Sequence, residues 1–190
     1  MVRAQHGFTL IEVMVALTVL AILISLGAPS FAEWLQSQRI RASAEAIVNG
    51  MQAARAEAIK QNLPVVLGLE PPMPGWTVCL ASVTPCDSTT PAADVIQSKS
   101  GLAGSVGARI AQTPGDVTRT TFTPLGALLA KNPDNTLPVT RVDVFYDDPA
   151  LCIAAGGKKR CLRVVVTGGG SIRMCDPVPT IVAPDPRACP

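Results

Sequence analysis

The stretch GFTLIEVMVALTVLAILISL, residues 7–26, determines how the rest of the chain is arranged. After its first glycine it contains one charged residue, Glu12. An apolar run of this length is just long enough to cross the hydrocarbon core of a bilayer as a helix. The six preceding residues include Arg3 and no acid, and this charge favours a cytoplasmic N-terminus. We therefore predict a single transmembrane helix over residues 8–29.

The apolar stretch also fits two ordinary kinds of N-terminal segment. The first is a secretory signal peptide that is cut near residues 30–32, where small residues resemble a cleavage site. The second is a plain membrane anchor. Glu12 argues against both, because an unpaired carboxylate in an apolar span costs a few kcal/mol, about 2.5 or more. An acid at this position therefore indicates a functional role for Glu12.

The same stretch resembles the type III signal of type IV prepilins and of type II secretion pseudopilins. The resemblance implies that residues 1–7 are a leader, that a prepilin peptidase cuts after Gly7, and that Phe8 becomes the methylated N-terminus. Glu12 then stands at the fifth mature position and Pro29 at the twenty-second, as in many pilins. In that family the glutamate meets the positive N-terminus of a neighbouring subunit. The implied partners are other pilins or pseudopilins, bound through the N-terminal helix.

Residues 30–62 continue the helical pattern with one apolar face. Apolar residues recur there at spacings of three and four, which is typical of an amphipathic helix. They are Ile40, Ala44, Ile47, Met51, Ala54 and Ala58. Pro64 ends the pattern, and Gly50 weakens it locally. We predict one long helix from Phe8 to about Asn62, kinked near Gly27 to Pro29, with its second half packed on a globular domain.

Residues 63–190 have the composition of a loop-rich β domain. The chain has 15 glycines, 17 prolines and 16% charged residues, which favours strands and turns over a helical bundle. Residues 139–146 alternate as a half-buried strand does, and Gly168 to Gly170 indicate a tight turn between strands. Trp76 is predicted to lie in the core and Trp34 at the membrane interface. Residues 98–107, rich in glycine and serine, predict a mobile loop.

All six cysteines follow the predicted membrane span, in the part of the chain that would be exported. They are Cys79, Cys86, Cys152, Cys161, Cys175 and Cys189. An even number of cysteines in an exported domain indicates disulfides. Six cysteines allow about 15 pairings, and pairing each with its nearest neighbour is the preferred scheme among them. The alternative, a zinc site, lacks a Cys-x-x-Cys pair, so we predict no metal and no cofactor.

The chain lacks the sequence features of several common enzyme mechanisms. Its one histidine, His6, lies in the predicted leader, so a processed chain has no Ser-His-Asp or Cys-His pair. The glycines at 168–170 are followed by Ser171 and not by the Gly-Lys of a phosphate-binding loop. We therefore predict that the protein is not an enzyme.

Several later segments resemble the GspH/FimT family of minor pilins and minor pseudopilins. They are the helix end at residues 54–62 with the strand after it, the Gly-Trp strand at 75–80, the Phe-x-x-x-Gly turn at 121–126, and the final hairpin at 161–175. The resemblance implies an α+β, pilin-like fold with a mostly antiparallel β domain. It also implies a single-pass protein of the inner membrane whose domain faces the periplasm and enters a pilus or pseudopilus.

A group of cations precedes and enters the final hairpin: Lys158, Lys159, Arg160, Arg163 and Arg173. One interpretation is a solvated turn, where lysines discourage aggregation between sheet edges. The other is a patch that contacts DNA phosphates. Some FimT-type pilins have a Gly-Arg-x-Arg motif linked to DNA uptake; here Ser171 replaces its first arginine. The net charge of +2 does not by itself indicate a nucleic-acid partner.

These observations lead to one preferred function and two alternatives. We expect a minor pilin of the type IV pilus that acts in filament assembly or priming. The first alternative is a GspH-like pseudopilin of the type II protein secretion system. The second is a pilus-associated protein that binds DNA during DNA uptake.

Overall fold

The computed structural model describes residues 9–102 and 106–190. Within it the chain divides into two compact units, which meet between Leu35 and Gln36. The predicted cleavage and methylation residues, Gly7 and Phe8, lie outside the described residues. The side chain of Pro29 is outside them as well.

A single long helix, α1, runs over Leu10–Gln61, which confirms the predicted long N-terminal helix. It ends where Asn62 adopts a left-handed backbone (φ 52°) just before Pro64. Among the described residues, no individual helix is long and apolar enough to cross a membrane. Two helical segments joined by a bend, Leu10–Ser25 and Ser30–Gln61, satisfy that criterion as a pair.

The second unit contains the C-terminal half of α1 and eight strands. The strands are β1 (Val65–Leu69), β2 (Trp76–Leu80), β3 (Val95–Lys99), β4 (Ala108–Thr113), β5 (Arg119–Phe122), β6 (Arg141–Tyr146), β7 (Leu162–Val166) and β8 (Ile172–Cys175). Two short 3-10 helices, Pro149–Leu151 and Ile153–Ala155, lie between β6 and β7.

The strands form two four-stranded sheets. The first sheet has the order β3-β2-β1-β5 and the second has the order β4-β6-β7-β8. Every pair within both sheets is antiparallel. The fold is therefore α+β, with a long helix packed on antiparallel sheets, as the pilin-like resemblance implies.

The predicted apolar stripe of α1 forms one wall of the main core. All six of its residues are buried: Ile40, Ala44, Ile47, Met51, Ala54 and Ala58. The same core contains Phe122 and Trp76, and the burial of Trp76 agrees with its prediction. All five residues of β1 are buried. They are buried because α1 covers one face of this strand and the Cys79–Cys86 segment lies on the other face.

Two predictions about the β domain need correction. The strand predicted from Val139 starts at Arg141, although Val139 is itself buried. The loop predicted from Ser98 starts later, because β3 includes Ser98 and Lys99. This strand was missed because β3 lies at the sheet edge, where pairing with β2 requires no apolar alternation. The predicted mobility of the loop stays a prediction, since residues 103–105 are not described.

Candidate functional site

The first unit exposes apolar side chains along α1. The large apolar residues between Leu10 and Ile24 are all well exposed. Glu12 lies in the first turn of the helix, and its backbone N–H donates to the hydroxyl of Thr9 at 3.4 Å. A carboxylate in a first turn is favoured by the helix dipole. Apolar side chains around a helix are stable in lipid or against other helices, and not in water.

Two aromatic residues follow this apolar segment. Phe31 and Trp34 stack with their ring centroids 5.7 Å apart, and both are more than half exposed. Aromatic residues of this kind are enriched at the boundary between lipid and water. Their position agrees with a segment that leaves a membrane, and the interfacial role predicted for Trp34 stays a prediction.

Three disulfides hold the β domain, and they follow the nearest-neighbour scheme. They join Cys79 to Cys86, Cys152 to Cys161, and Cys175 to Cys189. The last one closes a C-terminal strap, residues 176–190, against the end of β8. The backbone N–H of Asp176 donates to the carbonyl of Arg187 at 2.8 Å within this strap.

The five predicted cations do not form one patch. Lys159 lies over the ring of Tyr146, 5.0 Å from its centroid. Arg160 donates from Nε and pairs through Nη2 with the carboxylate of Asp176, both at 2.9 Å. Asp176 is 3% exposed, so Arg160 primarily neutralises a buried acid. Lys158 precedes these residues in the same exposed turn region.

Arg163 and Arg173 do share a surface, the outer face of the second sheet. Strand pairing places Val165 between Arg141 on β6 and Arg173 on β8. In the next row Arg163 donates to Asp143 at 2.6 Å. Because neighbouring strands lie about 4.8 Å apart, three arginines on adjacent strands surround one position. We call this set, Arg141, Arg163 and Arg173 with Asp143, the outer arginine face.

Sequence reasoning missed Arg141 as a member of this face. The alternation predicted for residues 139–146 already placed Arg141 and Asp143 on one side of a strand. Their neighbours on β7 and β8 depended on the register between strands, which alternation within one strand does not determine. Asp143 also pairs with Arg141 at 3.4 Å, so a single carboxylate is shared by two guanidinium groups.

A second feature absent from the sequence predictions joins three distant segments. Arg55 of α1 donates from Nε to the carbonyl of Gly126 at 2.9 Å. The N–H of Leu128 donates to the carbonyl of Gly168 in the final hairpin. Gly170 has φ 76°, and any Cβ there would overlap the Gly126 carbonyl. The helix end, the Phe-x-x-x-Gly turn and the last hairpin therefore form one junction.

No metal-binding arrangement stands out in the described part of the chain. There, no group of three or more His, Cys, Asp and Glu side chains is placed to hold a metal ion.

Comparison with known proteins gives two family matches. The model of the type II transport protein GspH family matches residues 43–170. The model of the prokaryotic N-terminal methylation motif matches residues 2–28. No curated protein matches the chain.

Two crystal structures of one minor pilin are among the solved structures that match the chain. A crystal structure of the type IV minor pilin FimU of Pseudomonas aeruginosa (strain PAO1) has a TM-score of 0.51 and 16% identity, over 74% of this chain and 91% of that chain. A second crystal form of FimU has a TM-score of 0.45 and 18% identity, over 70% and 90% of the two chains. The first of these shows a shared pilin-like fold. Since the GspH model spans more than half of the sequence, the chain belongs to the GspH family of pilin-like proteins and carries their N-terminal methylation motif.

Proposed function

We propose that this chain is a minor pilin that enters a type IV pilus after prepilin peptidase cuts it after Gly7 and methylates Phe8. The exposed apolar surface of α1 from Leu10 to Ile24, directly behind the methylation motif, supports assembly through the helix, and the likeness in fold to the minor pilin FimU favours the pilus. Before assembly the chain is a single-pass protein of the inner membrane with its β domain in the periplasm. After assembly the same helix surface is buried against the helices of neighbouring subunits.

Glu12 sets the register of this assembly. The carboxylate and the methylated amine of a neighbour's Phe8 neutralise each other away from water, which offsets the cost of removing both from solvent. The remaining surface is apolar and permits helices to slide, so one charge pair is enough to favour a single position. The role is structural, and no catalytic step is part of it.

The competing assignment is a pseudopilin of the type II secretion system. The match to the type II transport protein GspH family favours this assignment. The similarity in fold to the minor pilin FimU supports the assignment to a type IV pilus. Both assignments use the same helix, and so the helix does not separate them.

A clean deletion strain separates the two assignments. It is scored in parallel for surface pili with twitching motility and for secreted hydrolases, and the wild-type gene is returned as a control. Lost pili with normal secretion supports the minor pilin. Lost secretion with normal pili would replace it with the pseudopilin.

The outer arginine face supports a second candidate function, DNA binding. Three guanidinium groups with one shared carboxylate leave an excess of positive charge on an exposed sheet surface. Arginine forks hold phosphate oxygens in paired hydrogen bonds, and such contacts give binding that weakens with salt. On this proposal Arg173 contacts phosphates directly. Arg141 joins it by giving up its 3.4 Å pairing with Asp143, while Arg163 stays bound to Asp143 at 2.6 Å.

A gel shift with the full chain in detergent tests DNA binding. We expect a shift at low salt that Arg173→Gln weakens and that Lys131→Gln, an equal loss of charge elsewhere, leaves unchanged. Absence of a shift at low salt, or equal weakening by both substitutions, would end the proposal.

A further inference from the structure

The connection between β6 and β7, residues 147–161, forms a closed loop on the surface of the second unit. A disulfide joins Cys152 to Cys161, and both cysteines pack on the ring of Phe145. Every other residue of the loop is exposed or half-buried. The loop is therefore anchored at its base and open on its outer side, and we call it the β6–β7 knob.

The outer surface of the knob combines aliphatic and cationic side chains. Leu151 and Ile153 are both 40% exposed. Lys159 is held beside them, because its N–H donates to the carbonyl of Leu151 and its carbonyl accepts from the N–H of Ile153, both at 2.8 Å. Its ammonium group lies over Tyr146, and Lys158 next to it is exposed. Such a surface suits a partner that brings apolar groups together with an acid.

The first unit carries the complementary combination at residues 30–35, which we call the aromatic segment. Phe31 and Trp34 stack on each other, and Glu33 precedes Trp34; all three residues are exposed. Glu33 is the sole charged residue of the segment. A lysine ammonium group is attracted both by a carboxylate and by the face of an aromatic ring. The segment and the knob therefore match in charge and in apolar character.

The lysines and the acid are also available to each other. Among the described residues, no salt bridge includes Lys158, Lys159 or Glu33. An incoming partner therefore has no carboxylate or guanidinium group to displace from them. This separates the knob from the arginines of the second unit that are already paired with acids, such as Arg160 and Arg187.

Assembly changes the surroundings of the aromatic segment. On the proposed function, the segment leaves the membrane when the chain enters a filament, and its rings lose the lipid interface that aromatic residues favour. Aromatic rings in water gain free energy when a neighbour covers them. The segment follows the exposed apolar surface of α1, Leu10 to Ile24, through which subunits are proposed to pack. A neighbouring subunit is thus the partner closest at hand.

We propose that in the filament the β6–β7 knob of one copy of this chain docks on the aromatic segment of a second copy. Lys158 pairs with Glu33, and Leu151 and Ile153 cover the stacked rings. Each copy offers its knob to one neighbour and its segment to another, so the contact is heterologous and repeats along a filament without closing. The inference rests on the proposed function, because it needs assembled subunits.

Charge reversal with rescue tests this contact in cells. Glu33→Lys and Lys158→Glu each place like charges at the contact, whereas the double variant restores an opposite pair between copies. An exposed ion pair changes an equilibrium by up to about fivefold. We therefore expect each single variant to reach sheared filaments in amounts about two- to fivefold below wild type, and the double variant to recover most of the loss. Amounts are normalised to processed chain in the membrane fraction, so that a defect in insertion is counted separately.

Matched controls make the same charge changes elsewhere. Asp116→Lys and Lys131→Glu alter exposed positions of the second unit outside the knob, and we expect both to reach filaments in wild-type amounts.

Photo-cross-linking identifies the partner chain. The photoreactive residue p-benzoylphenylalanine replaces Ile153 in a tagged copy, and the cells also express a copy with a different tag. We expect a cross-linked product that contains both tags and joins position 153 of one copy to residues 30–35 of the other.

Four results would overturn the inference. They are wild-type filament amounts in both single variants, no recovery in the double variant, equal losses in the controls, and a cross-link that forms only within one chain or only to another protein. The proposed function fails separately, if the wild-type chain is absent from sheared filaments or the deletion strain keeps its pili.

Discussion

Gly50 of α1 lies directly against the indole ring of Trp76. A Cβ added to this glycine would stand 2.6 Å from two ring carbons. Trp76 is 3% exposed and belongs to the main core, so its ring is enclosed by packed residues. The glycine that weakens the helix locally is therefore the residue that lets the helix reach the sheet.

Replacement of Gly50 tests this packing against helix propensity. In an isolated helix Gly→Ala is worth about 1 kcal/mol of stability. Here overpacking costs about 1–3 kcal/mol, so we expect Gly50→Ala to lower the free energy of unfolding. Urea denaturation measures it. The control is Asn49→Ala, at an exposed helix position next to it. A more stable Gly50→Ala variant would contradict the observed contact.

Gly170 and Gly168 share a turn but differ in what surrounds them. Gly170 has φ 76° and lies against the Gly126 carbonyl, whereas nothing lies within 4 Å of a Cβ at Gly168. A side chain in the left-handed region costs about 1–3 kcal/mol, and the overlap adds to that cost. We expect Gly170→Ala to lower the melting temperature by several degrees, and Gly168→Ala to leave it nearly unchanged. Equal effects would show that the junction is not rigid.

Arg160 and Lys158 are close in sequence but differ in role: Arg160 pairs with a buried acid, and Lys158 is exposed to solvent. Loss of Arg160 leaves the buried carboxylate of Asp176 without its ion-pair partner. Removal of one member of a buried pair costs about 3–5 kcal/mol, and the exposure of the guanidinium group places this case at or below the lower end. We expect Arg160→Gln to destabilise the chain in urea denaturation and Lys158→Gln to have little effect. An equal loss of stability in the two variants would contradict the structural role of Arg160.

At the scale of the elements, α1 combines two kinds of surface. Its first half is apolar and exposed, and its second half buries one stripe against both sheets. The burial of the second half holds the β domain on the helix. The exposure of the first half leaves it available to lipid and to other helices, which is what assembly through a helix bundle requires.

Glu12→Ala tests the role of α1 in assembly. The substitution leaves the predicted cleavage site unchanged, so we expect normal processing of the precursor. On the proposed pairing it removes the partner of a neighbour's N-terminus, so we expect little of the variant in filaments sheared from cells. Immunoblots of membrane and filament fractions measure both, with Glu45→Ala, an exposed acid of the second unit, as the control. Wild-type amounts of Glu12→Ala in filaments would contradict the pairing.

For the whole molecule, several carboxylates in the loops of the β domain link stability to pH. Hydrogen bonds from the Thr89 hydroxyl lower the pKa of Asp87, and those from the Thr136 hydroxyl lower the pKa of Asp134. The side chain of Arg187 lowers the pKa of Asp185 to about 2. These groups bind protons less readily in the folded chain than in the unfolded one.

The sign of the pH effect follows from these lowered pKa values. The stabilisation is fully present above the usual aspartate pKa of 3.8 and is lost as pH falls from there toward about 2. We expect the free energy of unfolding to be constant from about pH 7 to 5 and to decline below about pH 4. Urea titrations across this range measure it, and Asp134→Asn should make the decline shallower. Unchanged stability at about pH 2 would contradict the argument.

The sequence by itself determined the features that depend on residues close together in the chain. The long helix, its buried stripe and the burial of Trp76 followed from spacing along the chain, because a helix repeats every 3.6 residues wherever it occurs. The methylation motif and the absence of histidine after the leader could also be read directly. For the cysteines the sequence only favoured nearest-neighbour pairs among about 15 pairings, and the three pairs themselves come from the structure.

Only the tertiary structure decided which residues from different strands and loops meet. The position of Arg141 beside Arg173 depends on strand register. The pairing of Arg160 with Asp176, and the approach of Gly170 to Gly126, depend on how loops fold over the sheets. The polar edge strand β3 carries too weak a pattern to predict. Contacts between distant segments are fixed by packing of the whole domain, and local sequence patterns do not encode that packing.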